Sequence, residues 1–207
     1  MSVLSPPAVE EFHQQGYHIR NEPLFRPADF DRLCHIFEEH LAARGEKRSD
    51  QLDTPHFHDK RLLEFLLDES VLDIVESLIG RDIGLWSSHF ISKEPKTGRS
   101  TSWHSDAGYW NGRFEEFTGL VTIWLAIDRS DRENGCMRVI PGTHRTPDGA
   151  MYRSTSRPIR SIWNSRMLTS QRRSCLSWIP TNARSTIQGS CMALLRTRAT
   201  DAAPVTR

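Results

Sequence analysis

Apolar positions in the first eighty residues recur at three- and four-residue spacing. Phe30, Leu33, Cys34, Phe37 and Leu41 form one such stripe and predict an amphipathic helix over 27–44. Leu62, Leu63, Phe65, Leu66, Leu72, Val75 and Leu78 form a second, predicting a helix over 59–79 with Gly80 as its C-terminal stop. A shorter helix over 8–15 follows a Pro-Pro start and ends at Gly16, and 17–20 reads as a brief strand.

Beyond Gly80 the period shortens. Strands are predicted over 83–93, 100–106, 120–127 (with the β-branched run V-T-I-W-L-A-I) and 136–140. Turns fall at 95–99 and at 131–135 (D-R-E-N-G), and 141–145 is a loop. Helices first and short strands afterwards place the chain in the α+β class, with the strands forming a sandwich or barrel. From Arg145 on the pattern stops: 63 residues hold 9 Ser, 8 Thr and 11 Arg with no sustained period. Such composition predicts disorder. The expected organisation is therefore one domain over 1–145 and an irregular tail over 146–207.

Charge divides the chain at the same place. The formal net charge is +1, which suggests neither a nucleic-acid nor a membrane partner. Residues 1–144, however, hold 16 Lys+Arg against 24 Asp+Glu, whereas the remainder holds 11 Arg, no Lys and two acids. All nine histidines lie at or before His144. Cys34, Cys136, Cys175 and Cys191 show no C-x-x-C spacing, and the first residues carry no basic-then-apolar leader pattern. A soluble, cytoplasmic protein with reduced thiols is the expectation.

The candidate chemistry lies in S-W-H-S-D-A-G-Y-W. Side chains two apart on a strand share a face, so His104 and Asp106 can converge on one ion. One imidazole and one carboxylate are two thirds of the facial triad of non-haem Fe(II) oxygenases. Two alternatives stand beside this: a solvated surface pair, or a zinc or structural site completed by another histidine such as His89.

The runs F-I-S-K-E-P-K-T-G, W-H-S-D-A-G-Y-W and V-T-I-W-L-A-I-D-R-S-D-R-E-N-G-C-M-R-V-I-P-G-T-H-R resemble the phytanoyl-CoA dioxygenase family over roughly residues 8–145. The resemblance implies a double-stranded β-helix (a cupin-like jelly roll) with N-terminal helices packed outside. It implies Fe(II) and 2-oxoglutarate as cofactors, ascorbate as a possible reductant, and hydroxylation of a small-molecule substrate. His104 and Asp106 match the first two iron ligands. Trp124 matches a position lining the 2-oxoglutarate pocket, and Thr122, on the same strand face, shares that role. Lys93 is read as a surface lysine, Asn134 and Gly135 as turn formers, and His144 as a loop residue outside the metal set. Halogenating relatives have a small residue where Asp106 stands, so the carboxylate favours hydroxylation.

The same family implies a second ligating histidine and a 2-oxoglutarate-binding arginine in a run like H-G-S-x-P-N-x-S-x-x-R-R. No histidine follows His144, so the jelly roll is expected to be incomplete at its C-terminus. Degenerate codons for this segment, read one base out of step, offer an account. The Cys191–Met192 junction permits His, Met192–Ala193 requires Gly, and the residues onward to Ala203 permit S-A-P-N-T-S-D-R-R-R. The tail is thus expected to be a frameshifted translation, with the shift between about Arg145 and Arg184. The competing expectation is a non-catalytic oxygenase-fold remnant whose Arg-rich tail binds acidic partners.

Overall fold

The computed structural model describes residues 3–99, 101, 104, 106, 113, 119–131 and 134–145, and the backbone of two later strands at 174–175 and 193–196. Helix α1 (Pro6–Gln15) starts two residues earlier than its pattern predicts, because Ser5 caps it and the Pro pair occupies its first turn. It ends at Gly16, whose φ of 83° is the left-handed stop that glycine adopts without strain. Strand β1 (Tyr17–Ile19) follows directly, and helix α2 (Pro27–Ala42) occupies the first predicted stripe.

The stripe predicted as one helix over 59–79 is broken. A 3-10 turn, Lys60–Leu62, leads into the single-turn helix α3 (Leu63–Leu66), and helix α4 (Glu69–Ile79) begins afresh. The cause is Asp68, whose extended backbone and side chain, accepting from Ser70 N at 2.8 Å, start a new N-terminus. Apolar spacing alone does not register such a cap. The first break is held by charge. Arg61 donates to Asp59 and to Glu39 on α2, and His40 Nε2 lies 3.1 Å from Asp59 Oδ2. The Arg61 guanidinium holds the Asp59 carboxyl well below the usual carboxylate range.

The strands are shorter than predicted. Strand β2 (Leu52–Asp53) pairs with β3 (His89–Phe90), β4 is Val121–Ile123, and β5 is Arg138–Val139. Of the strand predicted over 100–106, Thr101 and His104 have no regular structure and Asp106 sits in a turn, while the rest lies outside the described residues. The tail, where no element is predicted, contributes β6 (Ser174–Cys175) against β5 and β7 (Ala193–Arg196). Strand β7 lies between β1 and β4, antiparallel to both, with Leu195 opposite Tyr17 on one side and Thr122 on the other.

Packing sorts the residues of β4 and the two that follow it by face. Val121 and Ile123 pack on the α1–α4 core around Leu4, Phe12 and Ile74, and Leu125 packs on the α2–α3 core around Leu33, Ile36, Leu62 and Phe65. Trp124 instead joins Tyr17, Ile19, Met137 and Val139. The helices therefore cover one side of the sheet, and Trp124 belongs to the other. Among the described residues no helix is long and apolar enough to cross a membrane. The thiol expectation needs correcting: Cys34 is free, but Cys136 is disulfide-bonded, with its partner side chain outside the described residues. A lone C-x-x-C search overlooks pairings that depend on tertiary proximity.

Candidate metal centre

The site forms where the segment after Arg99 meets β4. His104 Nε2 stands 3.5 Å from Asp106 Oδ1, with side chains 30% and 22% exposed. That spacing brings an imidazole nitrogen and a carboxylate oxygen together at a position still open to solvent. Thr122 on β4 donates from Oγ1 to Asp106 Oδ2 at 3.1 Å. One carboxylate oxygen is thus fixed by the sheet while the other faces the imidazole. The two side chains lie close together, but not by strand alternation, since His104 has no regular structure and Asp106 lies in a turn.

Trp124, one residue past β4, lies outside the helical cores, beside Tyr17, Ile19, Met137 and Val139. Among the described residues, no group of three or more His, Cys, Asp or Glu side chains converges as a metal site. His104 and Asp106 therefore offer two ligands of the right chemistry, and the described residues offer no third. His89 does not supply it. Its Nδ1 lies 2.9 Å from Asp53 Oδ1 across the β2–β3 pair, and its Nε2 lies 3.3 Å from Ser87 Oγ. His144 is likewise held elsewhere, its Nε2 donating to the His13 carbonyl at the end of α1.

The supporting turn behaves as its residues suggest. Asn134 Oδ1 accepts from Asp131 N, its Nδ2 donates to Arg129 O, and Gly135 has φ 86°. The P-G-T-H-R loop docks on α1: Gly142 N donates to Gln15 O at 2.8 Å, and Arg145 to His13 O at 3.0 Å. A Cβ at Gly16 would overlap the His144 imidazole, so the glycine serves both the turn and this contact. Lys93 is half-buried, with Nζ donating to Arg99 O at 2.7 Å and Thr101 Oγ1 at 2.9 Å; burial lowers its pKa.

Two features escape residue-by-residue reading. The Thr122–Asp106 bond is hinted at only by the shared parity of Thr122 and Trp124. Asp128, just past β4, is pushed up to about 6 by burial and then by Glu38, and burial pushes the neighbouring Cys34 thiol up to about 11. Nothing in their sequence spacing signals the electrostatic influence of Asp128 on Cys34.

The family model described as phytanoyl-CoA dioxygenase (PhyH) matches residues 2–173, most of the chain and well past Arg145. The phytanoyl-CoA dioxygenase domain-containing protein 1 homolog of Caenorhabditis elegans is 31% identical over 98 residues, covering 47% of this chain and 33% of that protein. The peroxisomal phytanoyl-CoA dioxygenase of Mus musculus is 34% identical over 134 residues, covering 57% and 39%. The chain thus spans well under half the length of these relatives. Among solved structures, the non-heme alpha ketoglutarate dependent carbocyclase SnoK from nogalamycin biosynthesis matches with TM-score 0.69 at 20% identity, over 96% of this chain and 80% of that one. EctD from S. alaskensis with bound Fe matches with TM-score 0.69 at 18% identity, over 95% and 69%. These likenesses show the fold, the jelly roll of that oxygenase class.

Proposed function

The chain belongs to the phytanoyl-CoA dioxygenase family, and from that premise we propose that it is an Fe(II)- and 2-oxoglutarate-dependent dioxygenase that hydroxylates a small organic substrate. The observation that carries the proposal is the His104–Asp106 pair, drawn to 3.5 Å with Thr122 bonded to the second carboxylate oxygen.

His104 and Asp106 would hold the iron, which when bound activates dioxygen with 2-oxoglutarate as the electron source. His104 presents a nitrogen lone pair only as the neutral imidazole, so its proton belongs on Nδ1. Asp106 brings the negative charge, and Thr122 keeps that carboxylate from rotating away. Trp124, with Thr122, lines the 2-oxoglutarate pocket on the side of the sheet opposite the helices. Ascorbate would serve as the reductant that keeps the iron ferrous.

The third ligand and the arginine for the distal carboxylate of 2-oxoglutarate belong, in this proposal, to a shifted reading frame of residues 184–207. The absence of any histidine after His144 supports it, as does the absence of a third ligand among the described residues. Sequencing the coding DNA from about codon 140 tests the tail, and a frame without a His-Gly-Ser run ends that part. Succinate release measured for the in-frame protein and for the chain as printed tests the activity. The in-frame protein is expected to turn over 2-oxoglutarate with Fe(II) and the printed chain is not.

A further inference from the structure

The chain between β3 and the metal pair is held at its start. Ser92 is doubly bonded to Ser49: Ser92 N donates to Ser49 O and Ser49 Oγ donates to Ser92 O, both at 3.0 Å. From the same facing segment, Arg44 donates to Glu94 at 3.3 Å. Residues 92–94 are therefore a fixed base, and the next residues fold back on it. Thr97 N donates to Pro95 O at 2.7 Å, and Gly98 N to Glu94 O at 2.8 Å. Lys96 takes up φ 63°, a left-handed conformation uncommon outside turns. Gly98 approaches so closely that a Cβ there would lie 2.8 Å from Glu94 O and 2.9 Å from Lys93 Cβ, a space that suits glycine alone.

This reversal returns Arg99 and Thr101 to the side of Lys93. Lys93 Nζ donates to Arg99 O at 2.7 Å and to Thr101 Oγ1 at 2.9 Å. Among the described residues, no other hydrogen bond reaches Arg99 or Thr101. An ammonium carries three donors on one atom, so it can hold a carbonyl and a hydroxyl at once through charge-assisted bonds. Burial lowers the Lys93 pKa, while Asp50 on the facing segment acts in the opposite direction and favours the charged form. Asp50 is itself gripped through both oxygens by Arg48. His104 follows Thr101 by three residues.

We propose that Lys93 is a positioning residue for the metal pair: by clasping Arg99 O and Thr101 Oγ1, it fixes where the segment bearing His104 and Asp106 departs from its base. This role rests on the dioxygenase reading of that pair. Lys93 acts through Thr101 and not on the metal itself.

Two measurements test it. The first is amide hydrogen exchange of the metal-free full chain, read on peptides covering 99–106. Exchange there should be about tenfold or more faster in Lys93→Met and in Thr101→Val, each of which removes one side of the clasp. Thr101→Ser keeps the hydroxyl and should match wild type, as should Lys47→Met, an exposed lysine of the facing segment. Protection of α2 and α4 should be unchanged throughout, which separates release of the clasp from misfolding. The second measurement is anaerobic Fe(II) titration of the in-frame protein. Lys93→Met and Thr101→Val should each weaken Fe(II) about tenfold, with the metal-free melting midpoint of Thr101→Val unmoved. A lowered midpoint with wild-type Fe(II) affinity would mean a structural role only and would overturn the proposal. So would exchange in 99–106 that neither substitution alters, or that already runs at the rate of an unstructured chain in wild type. An in-frame wild type that binds no Fe(II) would sink the dioxygenase reading instead, and the exchange measurement, made without metal, would still decide whether Lys93 holds the segment.

Discussion

Thr122 Oγ1 donates to Asp106 Oδ2 at 3.1 Å, so a threonine on β4 sets the orientation of a carboxylate that lies outside any strand. Outer partners of this kind are worth about 10–100-fold in metal affinity. Thr122→Val in the in-frame protein should weaken Fe(II) binding by about tenfold or more, whereas Thr122→Ser should hold close to wild type. Anaerobic iron titration checks both.

Metal removal should separate the in-frame protein from the printed chain. A ligand that binds only the folded state raises stability in proportion to the logarithm of its concentration over its dissociation constant. Fe(II), or Mn(II) as a redox-silent substitute, should raise the melting temperature of the in-frame protein, and a chelator should reverse the gain. His104→Ala and Asp106→Ala should each abolish the shift. A comparable shift in the printed chain would mean that two ligands suffice.

Asp128 predicts a pH dependence of stability. Its folded pKa of about 6 lies above the unfolded value, raised by burial and by Glu38. Its contribution is therefore fully present below about pH 4 and is lost as pH rises through about 6. Asp128→Asn should raise the thermal midpoint at pH 7.5 and change it little at pH 4. Melting curves across that window decide the sign.

Gly16→Ala should destabilise the protein by about 2 kcal/mol or more, from the left-handed φ and from overlap with His144. His144→Ala removes the overlap, so the double variant should recover part of the loss. The two single costs would then fail to add. Denaturant titration of the four proteins measures the coupling.

Much of this site was readable in the chain because its determinants are local. His104 and Asp106 are two residues apart, and the D-R-E-N-G turn closes through Asn134, whose partners are Asp131 and Arg129. Helices α1 and α2 follow their apolar stripes and Pro starts. The misreadings share a different character. The stripe over 59–79 breaks because the Asp68 side chain caps a new helix, and hydrophobic spacing carries no record of a polar cap. The strand over 83–93 shrinks to His89–Phe90 because pairing with Leu52–Asp53 requires a partner nearly forty residues upstream. The Cys136 disulfide, the Thr122–Asp106 bond and the burial of Asp128 all depend on segments meeting in space.

The order β1-β7-β4 has a consequence for the order of synthesis. On a ribosome, Tyr17–Ile19 and Val121–Ile123 emerge long before Ala193–Arg196, the strand that joins them. Until then both strands offer unpaired backbone groups, the kind of edge that recruits other chains. In the chain as printed, assembly of this sheet therefore waits on Ala193–Arg196, and ribosomes stalled before codon 193 should carry a nascent chain that holdase chaperones retain.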